Sequence, residues 1–382
     1  MLGPLGGAGG AGGAGGAGYL GGAGGAGGAG GAGGAGGAGG AGGAGAYGHP
    51  ITTDALVRNR DGIVGAWDPH SISTNPRVLS SLGICEPWVR AAVFDADLMS
   101  NVVFVQRPAL TGSSFSMWDL AVTDSTTAVA VTAQQVVAIT APLAAAGVDD
   151  YAKKVNFLRD QMALVNNYVE LRDDRATEIG SQLGYPAPFW SSIVNLHPGR
   201  QPKTIELLGA AMRFCNVVGM RFKHALQCPR PVELSPQVQP MILTPGHGSY
   251  PSGHATESYM TAVILLKLRG EAAKSATDVQ LQRQAARIAI NRTVAGVHFP
   301  VDSVAGRWLG TTLAGYFLAR CKAGNGSASA NTSYVARDYT PQSGESNDDF
   351  QWWVDLPAGT GQQTQAAASL EWLWGAAARE WQ

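Results

Sequence analysis

The chain has 382 residues, with 27 lysines and arginines against 28 acidic residues, a formal charge of −1. That balance lacks the basic excess of a nucleic-acid surface and excludes nucleic acid as the expected partner. Cys85, Cys215, Cys228 and Cys321 are widely spaced with no CxxC pair, which reads as reduced, mostly buried thiols and not as a disulfide framework or zinc site.

Residues 5–46 repeat Gly-Gly-Ala, broken once at Tyr19-Leu20. Collagen is excluded, because glycine fills two positions in three and the repeat has no proline. Alone, such a segment is a flexible arm, since glycine loses the most entropy on ordering. Set beside other copies, its three-residue period suits polyproline II strands joined through their backbones. This second reading leads to the expectation of a homo-oligomer assembled through residues 5–46.

Residues 51–125 are mixed. Pro50, Asp68-Pro69, Asn75-Pro76 and Gly112-Ser113-Ser114 separate short apolar runs, which predicts loops with short helices or strands packing on a helical bundle. Trp67, Trp88 and Trp118 read as packing residues. From Thr126 a helical period is expected. Residues 126–146 are rich in Ala and Val, and 150–178 carry Val155, Leu158, Met162, Val165 and Val169. Pro186 and Pro188 mark a break. A helix over 203–226 delivers Lys223 near its C-terminal end, and Arg230 comes next in a proline-bounded loop. The irregular link 231–250 contains Pro236, Pro240 and Pro245. Helices over 274–294 and 303–321 complete an all-α helical bundle, with a catalytic domain over 126–322. Residues 323–382 form a Trp-rich extension (Trp352, Trp353, Trp372, Trp374, Trp381) that either docks on the bundle or meets another subunit.

No apolar run reaches the ~18–20 residues that span a bilayer. The nearest, Ala255–Leu268, is interrupted by Thr256, Glu257, Ser258 and Lys267. No basic stretch leading into an apolar one opens the chain, so no signal peptide is visible; a soluble protein of open compartment is expected.

The chemistry centres on residues 246–258, Gly-His-Gly-Ser-Tyr-Pro-Ser-Gly-His-Ala-Thr-Glu-Ser. Ser252 is a good N-cap, and the apolar pattern from Tyr259 to Leu266 predicts a helix with His254 in its first turn. Free backbone N–H groups and the positive end of the helix dipole make this an anion site. Around it, Lys223 precedes Arg230 by seven positions, and Arg292 precedes His298 by six, with Asp302 four further on. Lys223, Arg230 and Arg292 supply three cations for a tetrahedral oxyanion, and Ser252 and the Gly253 N–H add neutral donors. Of the two histidines, one can attack or ligate the central atom and the other can move a proton. If the segment is helical, Asp302 shares a face with His298 and could fix its ring.

The order Lys223…Arg230-Pro231, Ser252-Gly253-His254, Arg292…His298…Asp302 resembles the three-part signature of the type 2 phosphatidic acid phosphatase and vanadium-dependent haloperoxidase superfamily. The resemblance covers roughly residues 150–322 and favours its soluble branch. It implies a helical bundle of the haloperoxidase and acid phosphatase type. It also implies that His298 is the phosphate nucleophile or the ligand of vanadium, and that His254 is the acid–base. His247, seven residues before His254, matches a position that is commonly histidine in bromoperoxidase-like members. Met220, Asn291 and Pro300 depart from the haloperoxidase pattern. The leading expectation is a haloperoxidase-like enzyme that binds vanadate and oxidises halide with hydrogen peroxide. The alternatives are a soluble phosphatase, which needs no cofactor and hydrolyses phosphate monoesters through a phosphohistidine, and a structural protein that keeps the fold and works through its glycine-rich arm.

Overall fold

The computed structural model describes residues 50–64, 81–109, 112–125, 128–141, 151–323, 332–335 and 364–382. The repeat over 5–46, with the assembly role expected of it, lies outside the described residues, as do Trp67, Trp352 and Trp353.

The chain divides into two compact units, one of Gly21–Arg90 and one that includes Ala91–Gln382. In the first, α1 (Pro50–Ile63) exposes Leu56, Val57 and Ile63 and pairs Arg58 with Asp54 at 3.0 Å. The second unit begins within α2 (Pro87–Met99) and continues into a sheet.

Strands β1 (Val102–Ala109), β2 (Gly112–Ser125) and β3 (Ala128–Thr140) form an antiparallel meander, and the short β4 (Thr332–Val335) lies parallel to the end of β3. This corrects one expectation: the helix expected over 126–146 gives way to a strand over 128–140, so that a small sheet joins a fold that is mainly helical, as expected. Alanine favours a helix, but Val129, Val131, Val136 and Val137 are β-branched and stiff at χ1. A neighbouring strand then settles the matter. β3 pairs with β2 from Ser125↔Ala128 to Ser114↔Thr140, and the alternate residues Val137 and Ile139 are fully buried with Phe115 and Met117.

The helices continue as α3 (Tyr151–Asn167), α4 (Arg172–Ser181), α5 (Ala187–Val194), α6 (Pro202–Leu226), the single turn α7 (Pro231–Leu234), α8 (Gly253–Arg269), α9 (Ala276–Val294), α10 (Pro300–Arg320) and α11 (Ala368–Ala378). Their ends are written in the sequence. Pro202 and Pro300 open α6 and α10, where a missing N–H costs nothing. Ser252 and Ser275 cap α8 and α9, and Gly270 closes α8 at φ 65°.

Helix α8 is buried on almost every side, between α6, α9 and α10. Two glycines of α10 permit that packing. A Cβ at Gly306 would stand 2.5 Å from the Ser252 carbonyl oxygen, and one at Gly310 would come closer still to that of Thr256. The sheet closes the other side. Phe115 of β2 meets Phe222 of α6 edge-on at 5.0 Å, and Tyr250 donates to the Thr140 carbonyl at 3.3 Å.

The described part of the C-terminal extension docks on the same chain. Helix α11 packs against α6. Glu380 accepts from the Lys203 and Thr204 N–H groups at 2.7 Å each, a carboxylate on the positive end of α6. Trp381 donates to Thr204 Oγ1 at 2.8 Å. Among the described residues no helix is long and apolar enough to cross a membrane.

Candidate active site

Four stretches of the chain deliver the candidate side chains. The last turn of α6 carries Lys223, and α7 begins just after Arg230. The turn before α8 holds Ser252, with Gly253 and His254 as the first helical residues. The last turn of α9 carries Arg292, and the connection to α10 carries His298. Lys223, Arg230, Ser252, His254, Arg292, His298 and Asp302 are all at most 4 % exposed.

His298 stands just before α10, not on it. Asp302, on the first turn, reaches back and accepts from His298 Nδ1 and from the Phe299 N–H, both at 2.9 Å. The first bond makes Nδ1 the protonated nitrogen and leaves Nε2 as an acceptor, which faces Arg230. Gln161 accepts from the Val301 N–H at 3.2 Å and caps the same helix start. The turn that aims His298 contains Gly296 at φ 78°, where a Cβ would lie 2.8 Å from Arg172 Nη2. Arg172 clamps that turn to the preceding loop, donating to the carbonyls of Val294, Gln239 and Val238 at 2.9–3.0 Å.

The three cations differ in how many donors they keep. Lys223 Nζ gives two hydrogen bonds, to the Gly248 and Ser249 carbonyls at 3.1 and 2.9 Å. Arg230 donates to the His247 and Val297 carbonyls at 3.0 and 2.8 Å and to His298 Nε2 at 3.2 Å. Both therefore also fix the 247–249 loop. Arg292 gives only Nη2, to the Ile179 carbonyl and to Gln182 Oε1 at 3.4 and 3.1 Å. Its Nε and Nη1 are buried without a hydrogen-bond partner among the described residues.

His254 Nε2 donates to the Gln182 carbonyl at 2.9 Å. A carbonyl cannot donate, so the proton of the neutral ring is on Nε2, and Nδ1 is a bare acceptor buried without a partner among the described residues. Ser252 Oγ accepts from the Ala255 N–H at 3.4 Å, and among the described residues its own hydrogen has no acceptor. His247 presents Nδ1 both to Arg230 Nη2 at 3.2 Å and to the Gly248 carbonyl at 3.1 Å, and one tautomer can serve only one of these.

Burial and mutual repulsion set the charges. Burial, then the nearby Arg292, holds His254 well below the ordinary histidine range; burial, then Arg230 and Lys223, does the same to His298. His247 is pushed down to about 4 by burial and by Lys223. Burial lowers Lys223 and raises Asp302, while each opposes the other's shift by its charge. Arg230 and Arg292 are lowered by burial to about 10 and stay cationic. Three buried cations thus meet one buried carboxylate, Asp302, with Glu178 and Glu257 half-buried and Glu233 exposed at the margin. An uncompensated charge in such a place costs several kcal/mol, which a bound anion relieves.

Sequence reasoning missed the layer behind Arg292 and His254. Gln182, fully buried, accepts at Oε1 from Arg292 Nη2 at 3.1 Å and from Asn291 Nδ2 at 3.0 Å. Its Nε2 donates to Glu178 Oε1 at 3.2 Å, and Glu178 holds Arg287 at 2.8 Å. Asn291 shows one partial signal in the sequence, its departure from the haloperoxidase pattern. Gln182 belongs to no motif.

Residues 205–324, which carry every one of these motif residues, match the PAP2 superfamily. This segment of the chain belongs to that superfamily. Among solved structures, the chain is similar to one titled as the first transmembrane PAP2 type phosphatidylglycerolphosphate phosphatase from Bacillus subtilis. The identity is 21 %, the match covers 44 % of this chain and 86 % of that one, and the TM-score is 0.32. Among curated proteins, none matches the chain.

Proposed function

We propose that the protein is a phosphatase that hydrolyses phosphate monoesters through a phosphohistidine at His298. One observation carries this reading: Arg292 Nε and Nη1 and His254 Nδ1 are buried without partners among the described residues, beside His298, whose Nδ1–H is held by Asp302 and whose Nε2 lone pair accepts from Arg230, a donor that a phosphoryl oxygen can take over. Donors and an acceptor left open in a buried, cationic site suit a tetrahedral oxyanion and its leaving group.

In this reading the phosphoryl oxygens are held by Arg292, Lys223, Arg230, Ser252 Oγ and the Gly253 N–H. His298 Nε2 attacks phosphorus as the bond to the ester oxygen breaks. His254, charged once the dianion stands beside it, gives its Nδ1 proton to the leaving alcohol. A water then attacks phosphorus, His254 takes its proton, the P–N bond breaks and orthophosphate leaves. Asp302 stabilises the charge that His298 carries between the two steps.

The same donor set would suit vanadate, an oxyanion with the same need for several cationic and neutral donors as phosphate. Lys223, Arg230, Arg292, Ser252 and Gly253 would hold its oxygens, and His298 Nε2 its metal. Bound there, vanadate would supply peroxide activation for halide oxidation, with His254 positioned to hold a proton. His247 is engaged with Arg230 and its own loop and adds no weight to this second reading.

One pair of assays tests both. Metal-free protein with an aryl phosphate should turn over and yield an acid-labile, base-stable phosphoprotein on quenching. Turnover confined to vanadate-loaded protein with peroxide and bromide would reverse the order. Turnover in neither would leave a non-catalytic role for the fold.

A further inference from the structure

We propose that Gln182 is a positioning residue of this site, a neutral spacer that aims Arg292 and His254 while keeping the Glu178 carboxylate off Arg292. The inference rests on the reading of the pocket as an anion site.

The amide orientation is fixed by its partners. Arg292 and Asn291 Nδ2 can only donate and face Oε1; the Glu178 carboxylate can only accept and faces Nε2. Gln182 therefore stands between an acid and a base that would otherwise be natural partners. A carboxylate at this place would form a charge-assisted bond with Arg292 and neutralise the cation meant for the ligand. An apolar residue would leave Arg292 aimed only by the 3.4 Å contact to the Ile179 carbonyl. The amide accepts strongly enough to orient the guanidinium and leaves its charge available. Glu178 is meanwhile occupied by Arg287, Asn291 and Gln182, and its own acidity is increased by those bonds against the effect of burial. The backbone of the same residue makes the second link, since its carbonyl takes the His254 Nε2 proton and points Nδ1 into the site. One residue outside every recognised motif thus sets both the anion clamp and the proton donor.

The test exchanges the two side chains. Calorimetry with inorganic phosphate is run on wild type, Gln182→Glu, Gln182→Met and the double variant Glu178→Gln with Gln182→Glu. The double variant keeps the total charge and both hydrogen-bonding positions, and moves only the carboxylate next to Arg292. The expected result is at least ~10-fold weaker phosphate binding in Gln182→Glu and in the double variant. Gln182→Met should show a smaller loss. The backbone carbonyl survives each change, so in Gln182→Met, which adds no charge near Arg292 and His254, the His254-controlled limb of the pH profile of kcat should stay in place while KM rises; in the two variants with a carboxylate at 182 that limb should move to higher pH, because Arg292 no longer holds the ring neutral. A double variant that binds phosphate as tightly as wild type would overturn the spacer role and leave the anion site standing. A wild type that does not bind phosphate would overturn the anion reading, and this role with it.

Discussion

A Cβ at Gly306 would stand 2.5 Å from the carbonyl oxygen of Ser252, and in the same seam the Ser252 N–H donates to the Asp302 carbonyl at 2.9 Å. The close contact of two helices therefore sets the spacing between the Ser252–His254 turn and the His298–Asp302 pair. Gly306→Val should destabilise the protein by about 1–3 kcal/mol, as overpacking does. It should also lower activity by more than the unfolded fraction explains. Thermal melts and kinetics on the folded fraction separate the two effects; full activity in the folded fraction would show that the seam does not hold the site.

Asp302 serves both the ring and the helix start. Asp302→Ala should remove the fixed tautomer of His298 and the cap at Phe299, with a loss of about 0.5–2 kcal/mol for the cap. Asp302→Asn keeps an acceptor for the cap but not the charge that stabilises the phosphorylated histidine. It should retain most of the stability and lose most of kcat. Equal kcat in Asp302→Asn and wild type, measured with an aryl phosphate, would remove Asp302 from the chemistry.

His298→Ala should abolish hydrolysis, because a lost nucleophile has no substitute. His254→Ala should cost about 10²–10⁴-fold with an alkyl phosphate. The loss should be much smaller with a nitrophenyl phosphate, whose leaving group needs little protonation. A leaving-group series on both variants checks this, and parallel losses across the series would contradict the acid–base role of His254.

Arg292 has a distinctive expected signature. In phosphate-free buffer Arg292→Met should melt no lower than wild type, because it removes a buried cation with two unused donors. Wild type should then gain about 2.7 kcal/mol at a phosphate concentration of 100 Kd, and the variant should gain nothing. Calorimetric melts with and without phosphate decide the matter.

The histidines make stability depend on pH. His254 is held well below 6.5 by burial and then by Arg292. Below pH 6.5 the unfolded chain binds a proton there that the folded one does not, so stability falls as pH falls through this range. His254→Asn should flatten that fall by about 1.4 kcal/mol per pH unit, the weight of one proton. Denaturant melts between pH 4.5 and 6.5 measure the slope; an unchanged slope would mean that His254 is already protonated in the fold.

The sequence by itself settled the local grammar of the site. Proline and serine at helix starts, and residue spacing along the chain, are short-range signals. They locate α6, α8, α9 and α10 and set Lys223, Arg230, Ser252, His254, Arg292 and His298 at or beside helix ends. Spacing along a chain carries no information about what lies across from it. β3 reads as helix in its own composition and is a strand because β2 offers a partner over its whole length. Gln182 and Arg172 carry no local signature, yet they aim Arg292, His254 and the Gly296 turn through bonds to residues 66–122 positions away. The division of labour among the three cations was likewise decided only in the fold. There the 247–249 loop takes up donors of Lys223 and Arg230, and the neutral amide of Gln182 leaves two donors of Arg292 open.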